Sequence, residues 1–138
     1  AKSRGSCQIL MVLTSDYDAT PLMNAAFDND VDLVRVLLSC GADAKATNSN
    51  GYTALMYAAR DGSEKSVALL LPNSDVEATN KQGYTALMYA AKSGNAKSVE
   101  LLLPDSDAEA TNNRGETALH IAKKYRNNQI VSLLQQQN

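Results

Sequence analysis

One histidine, two cysteines and a scatter of carboxylates are the side chains that could carry covalent or acid–base chemistry in this sequence. A nucleophile needs a base within hydrogen-bond reach and a third group to orient that base. His120 has no such company in its neighbourhood, so a structural role is expected for it. The acids Asp75 and Glu77 recur as Asp107 and Glu109. Repetition of that kind favours a solvated edge over one acid–base pair. Gly51, Gly83 and Gly115 stand singly, unlike the clustered glycines of a phosphate-binding loop. Cys7 and Cys40 fit no metal or redox spacing and are expected to be free, structural thiols in a reducing compartment. With no signal-like segment, this points to an intracellular, cytoplasmic protein, the nucleus remaining open. No catalytic residue, cofactor, metal or small-molecule substrate is expected.

The aromatic residues are more informative. There are six tyrosines, one phenylalanine and no tryptophan. Tyrosine offers a large apolar surface with one polar tip, which suits protein interfaces. What the rings can do depends on the elements that hold them.

Those elements follow from a repeat. Thr53-Ala-Leu-Met-Tyr-Ala-Ala59 recurs word for word from Thr85 to Ala91, with looser copies from Thr20 to Ala26 and from Thr117 to Lys123. A fixed period in the thirties marks a solenoid of stacked units. Each unit opens on a turn carrying Gly51, Gly83 or Gly115, where a positive φ is expected; Asp18 holds that place in the first unit. The threonine that follows reads as a helix N-cap, and Pro21 fits the first helical position. Leu55, Ala58 and Ala59 form the buried stripe of a short first helix. Gly62 and Gly94 end it, with Asn29 and Arg126 in the outer units. Asp30, Ser63, Asn95 and Asn127 start a second helix. Its stripe is expected to be Val34, Leu37 and Leu38, then Val67, Leu70 and Leu71, then Val99, Leu102 and Leu103, and finally Val131, Leu133 and Leu134. Pro72 and Pro104 stop that helix. The chain of 138 residues has room for one domain. Residues 1–13 match no unit and are expected to be an N-terminal cap or the remnant of an upstream repeat. Residues 14–138 form the repeat domain, in units of about 14–46, 47–78, 79–110 and 111–138.

This pattern resembles the ankyrin repeat family. The residues that carry the resemblance run from Gly51 to Ala59, from Val67 to Leu71, and through Gly41-Ala-Asp43. It implies an all-α solenoid of about four helix-turn-helix units joined by short hairpin-like loops. Met23, Met56 and Met88 depart from the family's usual histidine, which ties neighbouring units; only His120 matches. Asn73-Ser-Asp75 and Asp105-Ser-Asp107 replace Gly-Ala-Asp. These changes bear on hydrogen bonding between units and on one turn, while the Leu/Ala pattern carries the packing.

The resemblance implies a non-catalytic module that grips a partner protein in a concave groove of turn tips and first helices. Every aromatic falls in those places: Tyr17, Tyr52 and Tyr84 at turns, Phe27, Tyr57, Tyr89 and Tyr125 on first helices. Tyr57 and Tyr89 are expected to fill packing between units. Binding is expected of Tyr52, Arg60, Asp61, Tyr84, Lys92 and Arg114, supported by Tyr17, Phe27, Asn50, Gln82 and Lys124. Charge is uneven along the groove. From Thr14 to Asn48 six acids face two bases; from Thr79 onward seven bases face five acids. Such a gradient would orient a dipolar partner. The net charge of −2 argues against nucleic acid as a general partner; a weak alternative is nucleic-acid binding by the basic C-terminal half. No apolar run approaches the roughly 18 residues of a membrane span. A monomer is expected. A further alternative is a structural or targeting segment of a larger enzyme, such as a kinase with a repeat tail.

Overall fold

The structure is a computed structural model that describes Cys7, residues 18–61 and residues 63–136. The proposed cap over residues 1–13 (Cys7 apart), Tyr17 and the turn at Gly62 lie outside the described residues. Among the described residues from 18 onward eight α-helices follow one another: α1 (Pro21–Phe27), α2 (Val31–Ser39), α3 (Ala54–Arg60), α4 (Glu64–Leu70), α5 (Ala86–Ser93), α6 (Ala96–Leu102), α7 (Ala118–Lys124) and α8 (Asn128–Gln135). The fold is all-α. Helices of seven to nine residues are too short to stand alone in water. Each is held by its neighbours, and all but α8 by a capping side chain at its start. The first helices α1, α3, α5 and α7 pack in series, the second helices α2, α4, α6 and α8 form a parallel series, and each pair closes on itself.

The threonine caps are present, whereas Asn127, at the start of α8, makes no capping bond and turns its amide to the Ala91 carbonyl. The hydroxyls of Thr20, Thr53, Thr85 and Thr117 accept from the backbone N–H groups of Met23, Met56, Met88 and His120. Each such cap is worth about 1 kcal/mol. His120 completes its own cap by accepting from the Thr117 N–H at 3.1 Å, so it acts within its unit. Gly51, Gly83 and Gly115 hold φ near +80°. Asn29 and Arg126 reproduce the left-handed turn without glycine, at φ 56° and 60°.

Three expectations need correction. Cys7 and Cys40 are not free thiols but a disulfide, with Cα atoms 5.5 Å apart. Their separation of 33 residues is one repeat period. A spacing that excludes a local motif can still set two residues of a stack side by side. The pairing removes the argument from cysteines for a reducing compartment. Second, Pro72 and Pro104 do not end their helices outright. They sit inside single 3₁₀ turns, Leu71–Asn73 and Leu103–Asp105, which tighten the chain before it leaves. Third, the buried stripe of α8 is Ile130 and Leu134; Val131 and Leu133 are only partly buried. Leu38 and Leu71, expected in the stripes of their own units, are likewise only partly buried, so the outermost stripe position lies at the margin of the core.

Ile130 stands one period after Ser98, and Ser98 one after Ser66. Both serines are fully buried, and neither hydroxyl has a hydrogen-bond partner among the described residues. Small side chains there let α4 and α6 lie between helices on both sides. The hydroxyl itself contributes nothing, and a buried unpaired polar group costs about 1–3 kcal/mol. Ser98→Ala keeps the size and removes the unpaired group. It should raise the urea midpoint by an amount equal to about 1 kcal/mol; a lowered midpoint would show a hidden partner for the hydroxyl.

Candidate functional site: an aromatic ladder across the turns and first helices

The turns of the second, third and fourth units are each built on one asparagine. Asn80 Oδ1 accepts from the N–H groups of Gln82 and Tyr84, both at 3.0 Å, while its own N–H donates to the Tyr84 carbonyl. Its Nδ2 donates to the Tyr89 hydroxyl at 2.7 Å. Asn48 repeats the arrangement with Asn50, Tyr52 and Tyr57. Asn112 repeats it with Arg114 and Glu116, whose carboxylate takes the place of the phenol. One side chain thus closes the turn and aims a ring of the first helix.

The turns are also sewn to one another. Lys81 N–H donates to the Asn50 carbonyl and Asn113 N–H to the Gln82 carbonyl, each at 3.0 Å. Asn113 Nδ2 donates to the Lys81 carbonyl at 2.7 Å. Ser49 donates from both backbone and hydroxyl to the Asp18 carboxylate, and these bonds hold that carboxyl below its usual pKa. At the other end of the first helices, Ser93 donates to the Ala59 carbonyl and Asn127 Nδ2 to the Ala91 carbonyl. These bonds do the tying that methionine cannot do at positions 23, 56 and 88. The substituted turns are satisfied as well: Ser74 and Ser106 donate to Leu70 and Leu102 carbonyls, and Asp75 and Asp107 accept from Glu77 and Glu109 N–H groups. Those acids are exposed, as a solvated edge requires.

On this frame the rings form one continuous line. Phe27 meets Tyr57 edge to face at 5.8 Å. Tyr57 stacks on Tyr52 at 4.9 Å, Tyr52 on Tyr89 at 5.7 Å, and Tyr89 on Tyr84 at 4.8 Å. The Tyr89 hydroxyl also donates to that of Tyr52 at 2.8 Å. Burial, then this bond, holds the Tyr89 phenol well above the usual tyrosine pKa. Tyr89 is 3% exposed and is the packed link that joins Tyr52 to Tyr84, whereas Phe27 is 49% exposed. The residues expected to pack and those expected to bind therefore belong to one structure.

Cations lie over the ladder. The Arg60 guanidinium sits 5.5–5.9 Å from the centroids of Phe27, Tyr52 and Tyr57. Lys92 Nζ lies 6.0 Å from the Tyr84 ring and 5.7 Å from the Tyr125 ring. Each contact of this kind is worth about 0.5–1 kcal/mol at an exposed site. Two cavities open on this face. One of about 370 Å³, between the first and second units, is lined by Phe27, Asn50, Tyr52, Tyr57 and Arg60 above Ala19, Met23 and Asn24. The other, about 280 Å³ between the third and fourth units, is lined by Lys81, Gln82, Tyr84, Lys92, Asn113, Arg114 and Tyr125.

Of the residues expected to bind, eight line these cavities: Phe27, Asn50, Tyr52, Arg60, Gln82, Tyr84, Lys92 and Arg114. Asp61 lines neither. It caps the end of α3 beside Arg60, and desolvation, with repulsion from Asp28, holds its carboxyl above the usual aspartate pKa. Lys124 lines neither; it pairs with Glu116 at 3.6 Å and lies 5.9 Å from the Tyr125 ring. Glu116 is held below its usual pKa, first by the Asn112 amide. Sequence reasoning missed Asn80 and Asn112, although their 32-residue recurrence with Asn48 is visible.

Stacked helix pairs, left-handed turns and a turn-and-first-helix face define a repeat solenoid of the protein-binding kind. The family model for ankyrin repeats, an array of three copies, matches residues 1–80, 22–112 and 66–138, and the chain belongs to the ankyrin repeat family. Ankyrin repeats are generally protein–protein interaction modules. No curated protein matches the chain. No helix among the described residues is long and apolar enough to cross a membrane.

Proposed function

We propose that the chain is a non-catalytic module that captures a partner protein on the face formed by its turn tips and first helices. The observation that carries this reading is the line of rings from Phe27 to Tyr84, capped by Arg60 and Lys92 and opening at each end into a cavity. A surface held by hydrogen-bonded turns loses little conformational entropy on docking. Aromatic and arginine side chains in such a setting are the residues that carry binding energy.

The test is affinity capture from a cell lysate with the wild-type chain and with a Tyr52→Ala/Tyr84→Ala double variant, read by mass spectrometry. Far-UV circular dichroism confirms that both are folded. The double variant should lose more than nine-tenths of the captured partner. Equal capture by both chains would place the site elsewhere.

A further inference from the structure

We propose that the cavity between the third and fourth units is a carboxylate pocket, and that the partner enters this face as an extended acidic segment. The proposal rests on the protein-binding reading above and names the chemistry of the partner.

Three cations, Lys81, Lys92 and Arg114, line this cavity, and no carboxylate does. Among the described residues none of the three is in an ion pair, although Arg35, Arg60, Lys97 and Lys124 all are. Lys92 is held between the rings of Tyr84 and Tyr125 rather than against an acid. The side-chain amides of Gln82 and Asn113 complete the wall. Lys81 feels the Asp18 carboxylate and Arg114 that of Glu116, but neither is held in an ion pair. Three cations beside two aromatic faces favour an anion whose stem is apolar, which describes a glutamate or aspartate side chain. Partial desolvation by the rings strengthens each charge–charge contact relative to open water.

The first cavity fixes the rest of the segment. Units in such a stack are spaced by roughly 10 Å, as packed helices are. The two cavities are two steps apart, so roughly 20 Å separates them. An extended chain covers that in about six residues. The first cavity has one cation, Arg60, lying over rings, with Phe27 open to solvent. It suits an apolar side chain. The first unit also carries the exposed Asp18, Asp28, Asp30 and Asp32. These would repel a longer polyanion. Nucleic acid, which needs a continuous track of cations, fits this gradient poorly, whereas a short acidic stretch next to an apolar anchor fits it well.

The experiment uses fluorescence anisotropy with two labelled peptides, one of repeated Gly-Glu-Leu-Glu and one of repeated Gly-Gln-Leu-Gln, and a single-stranded oligonucleotide of matching length. The wild-type chain should bind the Glu peptide at least tenfold more tightly than the Gln peptide and more tightly than the oligonucleotide. Lys92→Gln/Arg114→Gln should remove that preference. Lys65→Gln/Lys97→Gln, which takes the same charge from the second helices, should keep it. Equal binding of the two peptides, tighter binding of the oligonucleotide, or equal loss in both double variants would each overturn the pocket. Absence of this preference in the wild-type chain, with lysate capture still dependent on Tyr52 and Tyr84, would sink the carboxylate pocket alone.

Discussion

Gly83→Ala should destabilise the chain by about 3 kcal/mol, while the equivalent Gly115→Ala should cost only about 1 kcal/mol. Both glycines are left-handed, at φ +80° and +77°, so alanine meets the same backbone penalty at each. The difference lies in what the new methyl group touches. At Gly115 nothing lies within 4 Å. At Gly83 a Cβ would come within 2.6 Å of Asn113 Oδ1, 2.8 Å of Asn113 N and 3.0 Å of Asn112 Cα. Two of those atoms are backbone. Asn113 N cannot retreat without lengthening its bond to the Gln82 carbonyl, and the Asn113 side chain is held by the Lys81 carbonyl. The turns of the third and fourth units would have to part. Urea unfolding of the two variants checks this. Equal midpoints would mean that the turns are not closely sewn.

Asn80→Ala is the second large effect, again about 3 kcal/mol. The side chain is 6% exposed and makes three bonds. Its removal leaves the N–H groups of Gln82 and Tyr84 without their acceptor and frees the Tyr89 ring to turn. Unsatisfied buried groups cost about 1–3 kcal/mol each, less where water can reach them. Asn112→Ala should cost less, about 1–2 kcal/mol, because its amide reaches a partly exposed carboxylate instead of a buried phenol. Asn80→Ala should also broaden near-ultraviolet tyrosine signals, since Tyr89 joins the two halves of the ladder. Equal urea midpoints for the Asn80 and Asn112 variants would contradict the role given to Tyr89.

The repeat made most of the frame legible. Threonine caps, left-handed glycines and the Leu/Ala stripes each depend on a few residues in a row, and those survive as sequence patterns. The asparagines did not stand out because a turn-rich stretch such as Thr47-Asn48-Ser49-Asn50 offers several candidates. The phenol that selects one of them lies nine residues away, on the helix. The disulfide was hidden for a related reason: two cysteines one period apart become neighbours only through the stack. In α8 the periodic reading chose Val131, yet the deepest positions there are Ile130 and Leu134. That the rings gather on the turns and first helices was legible from where they fall. The continuity of the ladder was not, because Tyr57 and Tyr89 link it through contacts that run between units.

Site-specific photo-crosslinking reads which face of the stack meets a partner without knowing that partner. One chain would carry a benzophenone amino acid in place of Tyr84, and another in place of Leu101, which is exposed on α6. Both would be irradiated in lysate. A discrete crosslinked protein is expected from position 84 and none from position 101. The same product from position 101, with none from position 84, would place the partner on the second helices and contradict the proposed function.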